Sequence, residues 1–253
     1  AGLGGSVKYI KTRINADKYW KPFGNFVFGL SFESGYIHPL ENRGLAGIDD
    51  VRLTDRFYLG EPQMRGFDIR GVGPRVQRIF QEGKIVNGVA VNNPITDRNQ
   101  IQDDAIGGRF YYMGRAELQI PLGSGAKELG LRPSLFVDVG SVFDVTRPVL
   151  QSVQQREVLA DGTQGGLLYY FVDSAGALQT STTAVNGDGS ARVAAFRFKE
   201  EFLGDTWKPR LSVGFGVNWN SPFGPFRIDI ARALLKQPGD DTKLFTFNVG
   251  TQF

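Results

Sequence analysis

Seven segments of this chain alternate apolar side chains with small or polar ones at every second position. From Leu211 to Asn220, for example, large apolar residues alternate with Ser, Gly and Asn. A period of two places the two sets of side chains on opposite faces of a β-strand. The pattern therefore predicts an all-β protein with strands at 5–18, 26–35, 110–121, 134–144, 211–220, 226–233 and 244–253.

The connections between these segments differ in length in a regular way. Short turns at 19–25, 123–131 and 221–225 alternate with long connections at 41–109 and 145–208 and a medium one at 236–243. Short turns on one rim and long loops on the other are typical of an antiparallel transmembrane β-barrel, whose strands cross the bilayer with about ten alternating residues. A soluble β-sandwich also alternates, but it has less reason to segregate its loops by length.

Composition excludes several kinds of chemistry. The 253-residue chain has no Cys and a single His, which argues against disulfides, thiolate chemistry, His-based metal sites and a Ser-His triad. Its net charge of +3 is scattered, so we expect no nucleic-acid partner. The glycines at 60, 66, 71 and 73 lack the Lys-Ser/Thr of a phosphate loop. We predict a protein that is not an enzyme, with no cofactor and no metal.

The long connection 41–109 contains the sequence Met64-Arg65-Gly66-Phe67 within a stretch of aromatic and arginine residues. A plain surface loop would be small and polar, so this stretch is expected to pack into something. If Arg65 is buried, it needs carboxylate partners. Glu117 and Asp138 lie on the polar faces of adjacent predicted strands, where they could receive a guanidinium bidentately.

Two interpretations of these carboxylates remain open from spacing alone. In one, the loop folds into the lumen and Arg65 pairs with Glu117 and Asp138. In the other, both carboxylates are ordinary lumen charges satisfied by water or by Arg115. A glycosidase pair is disfavoured because no aromatic sugar platform is identifiable. The remainder of the first loop, 76–107, is expected to be irregular, and the second, 145–208, to be polar with one small hairpin near Leu167–Val172.

Several motifs, in order along the chain, resemble the BamA/TamA family of outer-membrane barrels. Phe57-Tyr-Leu-Gly, Met64-Arg-Gly-Phe67 and Gly73-Pro resemble its sixth extracellular loop. Phe136–Asp144 resembles the next strand but one, while Ser221–Phe226 and the final Phe253 resemble its last hairpin and closing strand. The resemblance implies that Arg65 meets Glu117 and Asp138, and that residues 1–253 are about seven C-terminal strands of a sixteen-stranded barrel. The upstream strands and the periplasmic POTRA domains are expected outside this sequence.

The resemblance also implies a function in the Gram-negative outer membrane: folding and inserting outer-membrane proteins without an energy cofactor. The last strand would form a lateral seam with the barrel's first strand, at Leu244, Phe245, Phe247, Val249, Gly250 and Phe253. Its expected partners are the missing barrel strands and POTRA domains, assembly-machinery lipoproteins, nascent outer-membrane proteins and the bilayer. The alternatives are a TamA-like or two-partner secretion translocase, a passive porin with an open lumen, and a soluble β-rich binding domain.

Overall fold

The structure, a computed structural model, describes residues 7–123, 130–222 and 224–249. The chain divides into two compact units. The first comprises Ala1–Arg75, Ala105–Pro148 and Leu203–Phe253, and the second comprises Val76–Asp104 and Val149–Phe202. No described segment forms a helix long and apolar enough to cross a membrane.

The first unit contains a seven-stranded antiparallel sheet in which neighbours along the chain are neighbours in space. Its order is β1-β2-β6-β7-β15-β16-β17, so each strand pairs with the next long strand of the unit. The predicted antiparallel all-β fold is confirmed, with bounds that differ by a few residues at most strand ends. The strands are β1 Tyr9–Trp20, β2 Val27–Pro39, β6 Phe110–Gln119, β7 Leu131–Phe143, β15 Arg210–Ser221, β16 Gly224–Leu235 and β17 Phe245–Val249.

The two faces of this sheet are the reverse of those in a water-soluble protein. Large apolar side chains on one face, here called the outer face, are exposed: Leu30, Phe32, Val137, Phe215, Ile230 and Phe247. Polar side chains on the opposite, inner face are buried: Ser134, Asp138, Ser212, Arg227, Asp229 and Thr246. An apolar patch of this extent marks a surface that contacts lipid or protein, and a period of two is how a barrel strand separates lipid from lumen.

Residues 40–75 pack against the inner face of the sheet. They carry a short 3₁₀ turn, Leu53–Asp55, and form a core with side chains from β2, β6 and β7. Its buried members are Ile37, Val51, Phe57, Leu59, Met64, Phe67, Val72, Tyr111, Met113 and Val142. The sequence LTDRFYLGEPQM thus folds back onto the sheet because its aromatic and aliphatic side chains leave water there.

The second unit is also built of strands. A sheet in the order β4-β3-β14-β8, with β5 on β3, accompanies two small sheets, β9/β10 and β11/β12/β13. A 3₁₀ turn, Arg98–Gln100, precedes β5. The bounds are β3 Arg75–Val86, β4 Val89–Pro94, β5 Gln102–Ala105, β8 Ser152–Gln154, β9 Arg156–Val158, β10 Gln164–Leu167, β11 Tyr169–Val172, β12 Leu178–Ser181, β13 Val193–Ala194 and β14 Phe196–Leu203.

The expectation that 76–107 is irregular was wrong. β3 and β4 form a hairpin around Asn87 and Gly88, whose φ angles of 51° and 78° are those of a type I′ turn. An Asn-Gly pair between strand-like runs is a strong hairpin signal, and it outweighs the polar turn residues of this segment. The small hairpin expected within 145–208 is confirmed as β11 and β12, which pair across Asp173–Ala177.

Candidate functional site at the inner face of the sheet

The side chain of Arg65 lies against the inner face and is almost fully buried, at 2% exposure. Its Nε and Nη2 atoms donate to the two carboxylate oxygens of Asp138 at 2.8 and 2.7 Å. Its Nη1 atom donates to Glu117 Oε2 at 2.9 Å. Charge-assisted bonds of this geometry offset the cost of removing a guanidinium from water. The structure therefore brings together the three residues that the sequence hypothesis joined.

Asp138 occupies the centre of this contact because of its register on β7. It stands directly opposite Arg115 on β6 and Ser212 on β15. The Nε atom of Arg115 also donates to Asp138, at 3.3 Å, while its Nη2 atom donates to the carbonyl of Gln63 at 2.5 Å. Of the two alternatives left open by the sequence, the structure contains the pairing of Arg65 with Glu117 and Asp138, and Arg115 shares one of these carboxylates.

Two further charged residues on β16 extend the cluster. Arg227 donates from Nη1 and Nη2 to Glu117 Oε1, at 3.3 Å each, and from Nε to Asp229 at 2.9 and 3.0 Å. The alternation of the predicted strand 226–233 places both on its polar face, but alternation alone does not assign them to the site. Three cations and three carboxylates then balance in formal charge: Arg65, Arg115 and Arg227 with Glu117, Asp138 and Asp229.

The backbone and the aromatic ring beneath Arg65 also fix its position. The Arg65 N–H donates to Asp138 Oδ2 at 3.0 Å, and Ser212 Oγ donates to the Arg65 carbonyl at 2.5 Å. The guanidinium carbon lies 3.3 Å from the centroid of the Phe136 ring, a cation–π contact. β7 therefore supplies both the carboxylate and the ring, from positions 138 and 136 of the same face.

The neighbours of Arg65 explain the small residue in the motif. Met64 and Phe67 are fully buried in the core cluster. Gly66 has a φ of +85°, and a Cβ there would lie 3.0 Å from Ser212 Cβ and 3.3 Å from Ala231 Cβ. Both the backbone conformation and the close approach to the sheet require glycine at this position.

A second buried ion pair lies apart from the first, between Arg210 at the start of β15 and Asp240 in the connection from β16 to β17. Its Nε–Oδ2 and Nη2–Oδ1 distances are 3.0 and 3.1 Å, and both side chains are fully buried. The remaining donors of Arg210 reach Ser141 Oγ and backbone carbonyls of residues 204, 206 and 208. Sequence reasoning missed this pair because both residues lie at or beyond strand ends, where alternation gives no face.

The terminal strand β17 pairs with β16 in register from Ile230–Phe245 to Phe226–Val249. Phe245, Phe247 and Val249 are exposed on the outer face, and Leu244, just before the strand, is exposed as well. Within the described residues, the other edge of β17 has no partner strand. Gly250 and Phe253, which the sequence assigned to the seam, lie outside the described residues.

An antiparallel sheet with an exposed apolar face, and with a charged inner face covered by its own loop, defines part of a transmembrane β-barrel. The sequence matches the Omp85 superfamily domain over residues 1–253. The chain belongs to the Omp85 superfamily, whose members reside in the bacterial outer membrane. This confirms the fold and the localisation that the sequence predicted.

The chain is similar to proteins described as outer membrane protein assembly factor BamA. It is 27% identical to that of Neorickettsia risticii over 256 residues, covering all of this chain and 23% of the relative. It is 28% identical to that of Neisseria meningitidis serogroup B over 251 residues, covering 99% of this chain and 24% of the relative. The chain thus spans about a quarter of the length of these relatives.

The fold has a counterpart in the crystal structure of BamA from Haemophilus ducreyi lacking POTRA domains 1–3. The TM-score is 0.55 at 19% sequence identity, with 97% of this chain and 35% of that chain covered. This likeness concerns the fold alone. Together with the two relatives, it confirms the resemblance of the sequence to the C-terminal part of a BamA-type barrel.

Proposed function

We propose that this chain is the C-terminal barrel part of an outer-membrane protein assembly factor, a non-enzymatic catalyst that inserts β-barrel proteins through a seam at β17. The proposal is carried by the match to the Omp85 superfamily domain over residues 1–253, together with β17, the last strand of the described sheet, which pairs with β16. The large apolar side chains of β17, Phe245 and Phe247, are exposed on the outer face.

The physical basis of the mechanism is the cost of an unpaired backbone in lipid. Each N–H or C=O group without a partner in the hydrocarbon costs several kcal/mol, so a strand cannot enter alone. An edge strand supplies a row of such groups, and an incoming strand that adds to it satisfies its own backbone. β17 would provide this edge when its pairing with the first strand of the barrel opens. A narrow apolar band at the seam would also thin the adjacent bilayer and lower the barrier to entry.

In this proposal, Arg65 anchors residues 40–75, here called the inward loop, to the inner face of the sheet. Its bonds to Glu117 on β6 and Asp138 on β7, with Ser212 of β15 on its carbonyl, tie the loop to three adjacent strands. Met64, Gly66 and Phe67 seat the segment against the sheet. A loop held in this way keeps β6, β7 and β15 in place while the pairing between β17 and the first strand opens. The loop also fills the lumen.

The proposed partners follow from the same function. The barrel strands that precede this sequence would complete the seam, and POTRA domains and assembly-machinery lipoproteins would deliver the substrate. The substrate would be an unfolded outer-membrane protein, and the bilayer would receive it. We propose no nucleic-acid partner, because the net charge of +3 is scattered and the inner-face arginines Arg65, Arg115, Arg210 and Arg227 are paired with carboxylates.

A reversible lock on the seam tests this function. In the complete protein, a cysteine replacing Phe247 is joined by a disulfide to one on the first strand of the barrel, and assembly of a urea-denatured outer-membrane barrel is measured in liposomes. A matched control joins F215C to I230C, which face each other on β15 and β16 and are both exposed. The seam lock should reduce the assembly rate at least tenfold, with recovery on reduction, while the control lock leaves it unchanged.

Equal assembly rates with the seam locked and open would overturn the proposal. Two further measurements separate the alternative functions. A substrate carried into the vesicle lumen instead of the bilayer indicates a secretion translocase. A passive porin would show a large steady conductance in a planar bilayer, whereas a lumen filled by the loop conducts poorly.

A further inference from the structure

The inward loop contacts more than the strand wall, because its backbone also bonds to the connection between β16 and β17. The N–H of Asp68 donates to the carbonyl of Asp241 at 3.0 Å, and the N–H of Asp241 donates to that of Gly71 at 2.8 Å. The N–H of Lys243 donates to the carbonyl of Gly66 at 3.2 Å. Phe67 and Thr242 form an antiparallel bridge between these bonds. Residues 66–71 and 241–243 therefore make a short ladder, here called the loop ladder.

Side chains reinforce the loop ladder at both ends. Lys243 Nζ lies 2.9 Å from Glu61 Oε2, and Asp240 is held by Arg210 in the second buried ion pair. Gly66, one residue from the Arg65 anchor, packs against Ser212 and Ala231 on the inner face. The anchor and the ladder are thus parts of one continuous backbone segment.

The register of β16 and β17 shows what the loop ladder prevents. Ile230 pairs with Phe245, and the last bond beyond it joins the Ala231 N–H to the Leu244 carbonyl at 2.9 Å. Continued by the same register, Arg232 would face Lys243 and Ala233 would face Thr242. β16 itself continues to Leu235, and Arg232, Ala233 and Leu235 pair with β15, which lies along the opposite edge of β16 from β17. The residues that would extend β17 bond to the loop instead.

We propose that the loop ladder determines where the terminal strand begins: it diverts residues 241–243 from β16 onto the loop, so that the Arg65 anchor limits the pairing of β17. Residues 241–243 can follow either residues 66–71 or the edge of β16, and these two paths of the chain compete. In the continued register, the backbone of Thr242 would bond to Ala233, while the N–H groups of Asp241 and Lys243 would face away from β16. Weakening the loop ladder or its anchor lengthens the β16–β17 pairing. This inference rests on the proposed function only for its consequence, which is that the loop regulates the length of the strand that opens.

Disulfide trapping in the complete protein in liposomes measures the competition directly. This chain has no cysteine, and any outside it is replaced by serine. The pair A233C/T242C reports the extended register, and I230C/F245C reports the register that the structure contains. Two variants weaken the loop ladder. K243P removes the N–H that donates to Gly66, and R65K keeps the charge but loses the guanidinium fork.

Each weakening variant should raise the rate of A233C/T242C crosslinking by roughly fivefold, the factor that corresponds to loss of one net hydrogen bond. The I230C/F245C pair should crosslink rapidly in every background. R70K is the matched control for R65K, because Arg70 lies in the same segment but its guanidinium stacks on Tyr58. If R65K does not fold, the A233C/T242C crosslinking rate in the K243P variant alone tests the inference.

Two results would overturn the inference. One is rapid A233C/T242C crosslinking in the unmodified background, because residues 241–243 would then already pair with β16. The other is an unchanged rate in the weakening variants while I230C/F245C behaves as expected. Assembly measured on the same liposomes reports the proposed function separately. If the unmodified protein assembles no substrate, the proposed function is wrong, but the crosslinking result still tests whether the loop ladder limits β17.

Discussion

Arg65 and Asp138 are joined by three hydrogen bonds, two from the guanidinium and one from the Arg65 backbone N–H, at 2.7 to 3.0 Å. Asp138 is fully buried and Arg65 nearly so. Removing one partner of such a pair leaves an uncompensated charge, which costs more than the pair itself contributes.

Neutralising the carboxylates of the cluster should destabilise the protein in a defined order. Asp138→Asn should cost on the order of 3 kcal/mol, because it weakens a buried pair that leaves Arg65 charged. Glu117→Gln should cost less, since Glu117 is more exposed than Asp138. Asp104→Asn, at an exposed position of β5, is the control and should cost less than about 1 kcal/mol. Urea unfolding in lipid vesicles measures the order, and equal costs for all three would contradict it.

Gly216 should not tolerate a side chain. A Cβ there would collide with Asp229 Oδ1 and lie 2.9 Å from Arg227 Nη2, so alanine would displace the ion pair. Gly216→Ala should cost about 1–3 kcal/mol, as overpacking usually does. Gly187→Ala is the matched control, because nothing lies within 4 Å of its Cβ position. Urea unfolding compares the two variants, and equal midpoints would mean that the pair on β16 is looser than described.

Asp49 should make stability depend on pH in the acid range. Asp49 lies in the inward loop, where burial raises the pKa of its carboxyl group. Hydrogen bonds from the N–H groups of Thr146 and Val51, at 2.7 and 2.9 Å, lower that pKa, and so do the charges of Arg56 and Arg109. The net effect is a pKa below the ordinary value of 3.8. Because the carboxyl group has a lower pKa in the folded state than in the unfolded state, its ionised form stabilises the fold. This stabilisation is complete above the unfolded-state pKa and is lost as the pH falls through the folded-state pKa.

The corresponding measurement compares Asp49→Asn with the unmodified protein across pH. The variant should be less stable by about 1–2 kcal/mol at neutral pH, and the difference should shrink below pH 3.8. Asp50→Asn is the control, since Asp50 accepts only from the neighbouring Arg43 among the contacts described. A difference that stays constant down to the most acid pH would show that the carboxylate charge at 49 contributes nothing.

The sequence revealed the sheet because lipid and lumen impose a strict alternation on each strand. The contact of Arg65 with Glu117 and Asp138 was one of two alternatives that burial and spacing left open, and the resemblance to the BamA/TamA family implied it. Arg210 and Asp240 were not accessible, because they lie at or beyond strand ends. Nor was the loop ladder, because its bonds run between backbone atoms and leave no trace in residue identity.

The central claim is that the Arg65–Asp138 contact holds the inward loop against the sheet. The most direct test is a double-mutant cycle on unfolding in lipid vesicles, using Arg65→Ala, Asp138→Ala and the double variant. We expect a coupling energy of about 2–3 kcal/mol, with the double variant less destabilised than the sum of the two single variants. A coupling energy near zero, with additive costs of the two single variants, would contradict the claim, because Arg65 and Asp138 would then stabilise the protein independently of each other.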